Sequence, residues 1–171
     1  MNRRNMLTAG MAVAAAMPFA GAAQAQMSAM MEDGTMDPAK APAILNGNFA
    51  KATSQLAVQK ATNDAVRQFA ELEVAEQTAV ATAFGVPADA PLAIPEAKAA
   101  MLEALQAAEG PEFDMMYVDG QIQGHEELRA IHSDYAANGT DPMAQGASLV
   151  GVTGIDTHLV MLNSIKATMA A

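Results

Sequence analysis

In four separate stretches of this chain, apolar residues recur at three- and four-residue steps, and glycine, proline, asparagine or aspartate punctuates the gaps between them. That period puts apolar side chains on one face of a helix, whereas a half-buried strand needs strict alternation. Leu45, Phe49, Ala52 and Leu56 form the first stripe, in a helix expected over residues 44–61. Thr62-Asn63-Asp64 follows as a turn, with Asn63 or Asp64 available to cap a second helix. Its stripe reads Val66, Phe69, Glu73, Glu76 or Gln77, Val80 and Phe84. Pro95 suits the first turn of a shorter helix that carries Met101, Leu102 and Leu105. Gly110-Pro111 restarts the chain as a third long helix, striped by Phe113, Tyr117, Gln121 or Gly124, Leu128, Ile131 and Tyr135. Asp141 and Pro142 open the last helix, where Ile155, His158, Leu162, Ile165 and Met169 face inward and Gly151 and Gly154 are expected bend points. Alternating β-branched segments and solenoid-length repeats are both missing from the sequence. The expected architecture is all-α, a four-helix bundle with a short extra helix in the crossover between the second and third long helices.

The start of the chain bears on location. Residues 1–25 combine Arg3 and Arg4, an apolar run from Met6 to Ala20, and the triplet Ala23-Gln24-Ala25. Together these read as a signal peptide cleaved near Ala25, sending the mature chain to the periplasm. The paired arginines also suit the twin-arginine export route. No later stretch approaches the roughly 20 apolar residues that a bilayer requires, so no membrane span is expected. Residues 26–43 are rich in Met, Pro, Gly and Asp without a period and read as a flexible leader, and residues 44–171 read as one bundle domain. There is no cysteine, which excludes disulfides, thiolate metal ligands and a thiol nucleophile. Without Arg3 and Arg4, seven basic residues face nineteen acidic ones, a net charge of −12. Such a field, with no tryptophan and no basic cluster, excludes nucleic acid as a partner.

Helical bundles build metal sites from inward side chains on facing helices. The usual di-iron recipe fails here, because Ile122 and Ile155 stand three residues before His125 and His158, where glutamates are required. A smaller set survives: Glu73, Glu76, His125 and His158. Two imidazoles with one or two carboxylates suit a single divalent first-row transition metal, with affinity rising toward copper and falling at zinc. The plainer reading makes each histidine a neutral core residue bonded to a partner, and each carboxylate part of a solvated face. His132, two turns beyond His125, reads as exposed. Met27, Met30, Met31 and Met36 offer soft thioethers that suit Cu(I), but read more simply as incidental residues of a leader. Asp114 and Tyr117 read as a buried acid and phenol or as a helix-start hydrogen bond.

The chain has no Gly-x-Ser-x-Gly elbow, no phosphate-cradling glycine loop and no His-Glu-x-x-His helix, and His125-Glu126 lacks the second histidine. Enzymatic chemistry is therefore not expected. The expected role is that of an exported, non-enzymatic binding or stress-related module acting through its helical surface on an unknown partner. The alternative is a mononuclear metal-binding or redox bundle.

The segments "LAVQKATNDAVRQFAELEVAEQ", "GPEFDMMYVDGQIQGHEEL" and "DTHLVML", with Leu102 and Leu105 between them, resemble an exported bacterial ferritin-like family. That family is grouped as a domain of unknown function, and its members are often labelled predicted outer membrane proteins although no barrel pattern is present here. The resemblance spans roughly residues 43–167 and is most specific in the spacing of Phe113, Asp114, Tyr117 and His125, with His158-Leu159 matching a late His-Leu. It implies a ferritin-like bundle and, if the family's histidines form a site, a partial version of it. Glu76-Gln77 stands where the family has Asp-His, and Ala50 where its first helix carries a glutamate.

Overall fold

The computed structural model describes residues 19–32, 34–87 and 90–170. Six α-helices make up the fold, and no strand occurs among the described residues. They are α1 (Phe19–Glu32), α2 (Ala41–Lys60), α3 (Asp64–Ala83), α4 (Ala99–Ala107), α5 (Gly110–Asn138) and α6 (Pro142–Met169). The long helices close on one another in a ring: α2 packs on α3 and α5, and α6 packs on α5 and α3. Short 3-10 turns at Pro38–Lys40 and Glu96–Lys98 lead into α2 and α4.

The helix starts follow from local chemistry. Asn63 accepts from the amides of Ala65 (2.8 Å) and Val66 (3.3 Å), satisfying donors that a helix N-terminus leaves unpaired. Asp141 does the same for Met143 (2.9 Å) and Ala144 (3.3 Å), with Pro142 at the first position. Gly110 takes a φ of +61°, which lets the chain turn from α4 into α5 without a Cβ penalty. The α2–α3 turn is held from across the molecule. Asp114, 2 % exposed, accepts from the amides of Thr62 and Asn63 (2.9 Å for the latter) and from the Thr62 hydroxyl. Of the two readings of Asp114 and Tyr117, both are in part realised: each is buried, and the acid spends its hydrogen bonds on a neighbouring helix start. The Tyr117 hydroxyl pairs with Ser54 Oγ at 2.8 Å.

Two apolar clusters and a thin third one fill the interior. One end holds Val66, Phe69, Phe113, Tyr117, Leu105 and Leu162. The other holds Ile44, Phe84, Tyr135 and Ala144, and Ala50, Leu128 and Ile155 lie between. Polar residues interrupt every long helix at the same level: Thr53 and Ser54 on α2, Glu73 and Gln77 on α3, Gln121 and His125 on α5, and His158 on α6, all buried. The fold is thus two apolar cores separated by a polar layer.

Two features differ from the sequence reading. The segment read as a flexible leader contains the end of α1, and Met27 and Met36 are buried against the Ile44–Phe84–Tyr135 core, with Met30 and Met31 packed alongside. Ala23, Met27, Met30 and Met31 stand at helical spacing, but this short pattern straddles the expected cleavage point and is followed by Gly34 and Pro38, so it does not read as a sustained period. The four methionines therefore serve packing. His132 is buried rather than exposed, at 2 % accessibility, with its Nδ1 3.0 Å from Ser148 Oγ and its ring edge-on to Phe84. The residues before Phe19 lie outside the described part, as do most of those read as the signal peptide.

Two outcomes follow from this packing. Replacing Asp114 by Ala strands three donors at the α2–α3 turn and should lower unfolding free energy by about 3 kcal/mol in denaturant titrations. Burial lowers the His132 pKa below its ordinary value of 6.5. The unfolded chain therefore binds the proton more readily, and this residue's contribution to stability falls as pH drops through 6.5 toward the folded value. The His132→Gln variant should show a shallower loss of stability across that window, by at most about 1.4 kcal/mol per pH unit. Identical slopes would contradict the assignment.

Candidate metal centre

In the polar layer, Glu73 from α3, His125 from α5 and His158 from α6 converge. Glu73 Oε2 stands 3.4 Å from His125 Nε2 and 3.2 Å from His158 Nδ1, and the two nitrogens are 3.2 Å apart. This is a nearly equilateral triangle of donor atoms. Ligands on a tetrahedral metal with bonds of about 2.0–2.1 Å lie about 3.3–3.4 Å from each other, so the triangle has the dimensions of one face of such a site.

Each donor is oriented from behind. His125 Nδ1 lies 2.8 Å from the carbonyl oxygen of Gln121. A carbonyl only accepts, so Nδ1 carries the proton and the neutral ring turns the Nε2 lone pair to the centre. His158 Nε2 lies 3.4 Å from Glu76 Oε2; with the proton on that nitrogen, Nδ1 also presents a lone pair inward. Gln77 donates from Nε2 to Glu73 Oε1 at 2.9 Å, which leaves Oε2 as the inward oxygen. Oε2 is buried and accepts no hydrogen bond of good geometry. Metal-ligating histidines characteristically donate their other N–H to a carboxylate or carbonyl; His125 does so here, and His158 turns its outer nitrogen toward the Glu76 carboxylate.

Without a metal, the electrostatics describe a proton held between the carboxylate and the imidazoles. Burial pushes the Glu73 carboxyl up, but His125, His158 and Gln77 outweigh it and hold the group at about 2. Glu73 is therefore an anion with 0 % side-chain exposure. The Glu73 contact raises the His158 pKa above 6.5 against the opposing effect of burial, with the Glu73 and Glu76 charges adding to the rise. Burial raises the Glu76 pKa, opposed by the charge of His158. Two imidazole lone pairs facing a dry anion require a cation among them, whether a proton shared with His158 or a metal ion.

Of the four residues singled out in the sequence, the structure brings three together. Glu76 stands behind His158, on the outer ring nitrogen, and is the partner of a ligand rather than a corner of the triangle. Sequence reasoning underrated two residues. Gln77, noted as a possible stripe position and a missing histidine, orients Glu73, and its i+4 spacing from that residue is the signal. Gly47 on α2 gives Gln77 room: a Cβ there would stand 2.6 Å from Gln77 Oε1. Ala50, where the resemblance implied a glutamate, packs with Leu128 and Ile155, so α2 supplies no ligand.

No helix among the described residues is long and apolar enough to cross a membrane. Comparison with known proteins finds no match among curated proteins and none among solved structures. The model of one family, a domain of unknown function (DUF4142), matches residues 16–165, from before α1 to near the end of α6. The chain therefore belongs to the DUF4142 family, a domain of unknown function.

Proposed function

We propose that this protein is an exported, ferritin-like four-helix bundle that binds one divalent first-row transition metal ion through Glu73, His125 and His158. The reading is carried by one observation: three buried donor atoms meet at 3.2–3.4 Å, each held from behind by a group of its own. Two imidazoles and one carboxylate form a mixed N/O donor set, suited to Zn, Fe, Co or Cu(II) rather than to the all-oxygen shells of Mg or Ca. The centre is closely covered: Phe69 lies 5.9 Å from the His125 ring and 5.3 Å from the His158 ring. Such a setting favours holding an ion over transforming an organic substrate, and the role is binding or sequestration. Arg3, Arg4, the apolar run and Ala23-Gln24-Ala25 support export to the periplasm.

A second reading, a module acting through its helical surface on a protein partner, draws on Met143, Leu149, Val150 and Val160, which α6 leaves exposed. Against it, singly exposed apolar residues are ordinary on soluble proteins.

Protein purified from the extracytoplasmic fraction should begin at Gln26 by intact mass and carry about one metal ion per chain by elemental analysis. Glu73→Gln, which keeps the shape and removes the charge, should weaken binding by at least about 100-fold. Metal well below one ion per chain, or unchanged affinity in that variant, would rule the centre out.

A further inference from the structure

A buried centre needs a way in, and the four groups around this one differ in exposure. Glu73 and His125 are sealed, with side chains 0 % and 1 % exposed. His158 reaches 10 % and Glu76 34 %. On the α2 side, Gln77 fits against Gly47. Toward α5, Gln121 bonds to Thr53 Oγ1 (2.8 Å) and the Ala50 carbonyl (3.3 Å). Phe69 covers the rings toward one apolar core, and Leu128 with Ile155 closes the layer toward the other. Between α3 and α6 the packing instead opens into a groove, with Glu76 in its wall among Ala79, Ala147, Gly151, Gly154 and Thr157.

The geometry points to this groove as the entrance through which the ion reaches the centre, with Glu76 as the receiving carboxylate; the inference rests on the metal-binding reading above. Small side chains keep the passage wide. Gly154 leaves Glu76 room, because a Cβ there would stand 3.1 Å from Glu76 Oε1 and make the carboxylate give by a few tenths of an ångström. A hydrated cation approaches a half-exposed carboxylate at far less desolvation cost than it crosses an apolar core. One ring then separates the entrance from the centre: His158 turns Nε2 to Glu76 and Nδ1 to Glu73. The negative charge of the chain raises the local concentration of cations at any such opening.

The test plugs the groove without touching a ligand. Ala79 and Thr153 line it and are exposed, so the double variant Ala79→Leu/Thr153→Leu should keep the wild-type melting profile. Cobalt(II) uptake would be followed by stopped-flow absorbance, and release by chelator competition. Both rates should fall by about tenfold or more while Kd stays within about threefold, the pattern of a blocked path rather than a damaged site. Gln123→Leu, exposed on α5, should leave both rates at the wild-type value. Unchanged rates in the plugged protein, or equal slowing in the α5 variant, would overturn the entrance alone. Absence of any cobalt signal in the unsubstituted protein would overturn the metal-binding reading and the entrance with it.

Discussion

An ionised carboxylate with no access to water sits at the middle of this protein, and most of the surrounding side chains can be understood as responses to it. Taking Glu73 out of water costs several kcal/mol even after relaxation, and only close, well-aimed partners offset that. Gln77 supplies one hydrogen bond one turn along the same helix. His125 and His158 approach the second oxygen from the two facing helices. Gly47 clears space for Gln77, and Gly154 for Glu76. Substituting any of these affects the carboxylate at one or two removes.

The same requirement divides the core. A chain with this much alanine and methionine can bury a continuous apolar interior, yet every long helix places a polar residue at the level of Glu73. Gln121 and Tyr117 carry the layer across to α2, through Thr53 and Ser54. The apolar clusters on either side exclude water from the layer. In that dry setting three converging acceptors repel one another unless a cation sits among them, and the proposed metal ion is such a cation.

How much was legible from residues alone depended on the kind of force involved. Helix starts set by short-range hydrogen bonds, at Asn63 and Asp141, can be read from a few adjacent residues, and both act as caps in the structure. The stripes through Phe69, Phe113, Leu128 and Leu162 follow the helical period, and all four are buried. Glu73 and Glu76 could not be separated, since an offset of three residues leaves both near the same face, and only packing by α5 and α6 decides which is sealed. His132 reads as exposed because its partners, Ser148 on α6 and Phe84 just past α3, lie far off in the chain. Helix α1 is hard to read because its short period of Ala23, Met27, Met30 and Met31 straddles the expected cleavage point and packs onto a core built elsewhere in the chain.

The account stands or falls on where a bound ion sits. Anomalous diffraction from cobalt-loaded crystals, recorded on both sides of the metal edge, locates it directly. A single strong peak is expected within about 2.0–2.2 Å of Glu73 Oε2, His125 Nε2 and His158 Nδ1, with Glu76 beyond bonding distance on the far side of His158. Peaks confined to surface carboxylates, with the three inner atoms hydrogen-bonded to one another and no density between them, would contradict it.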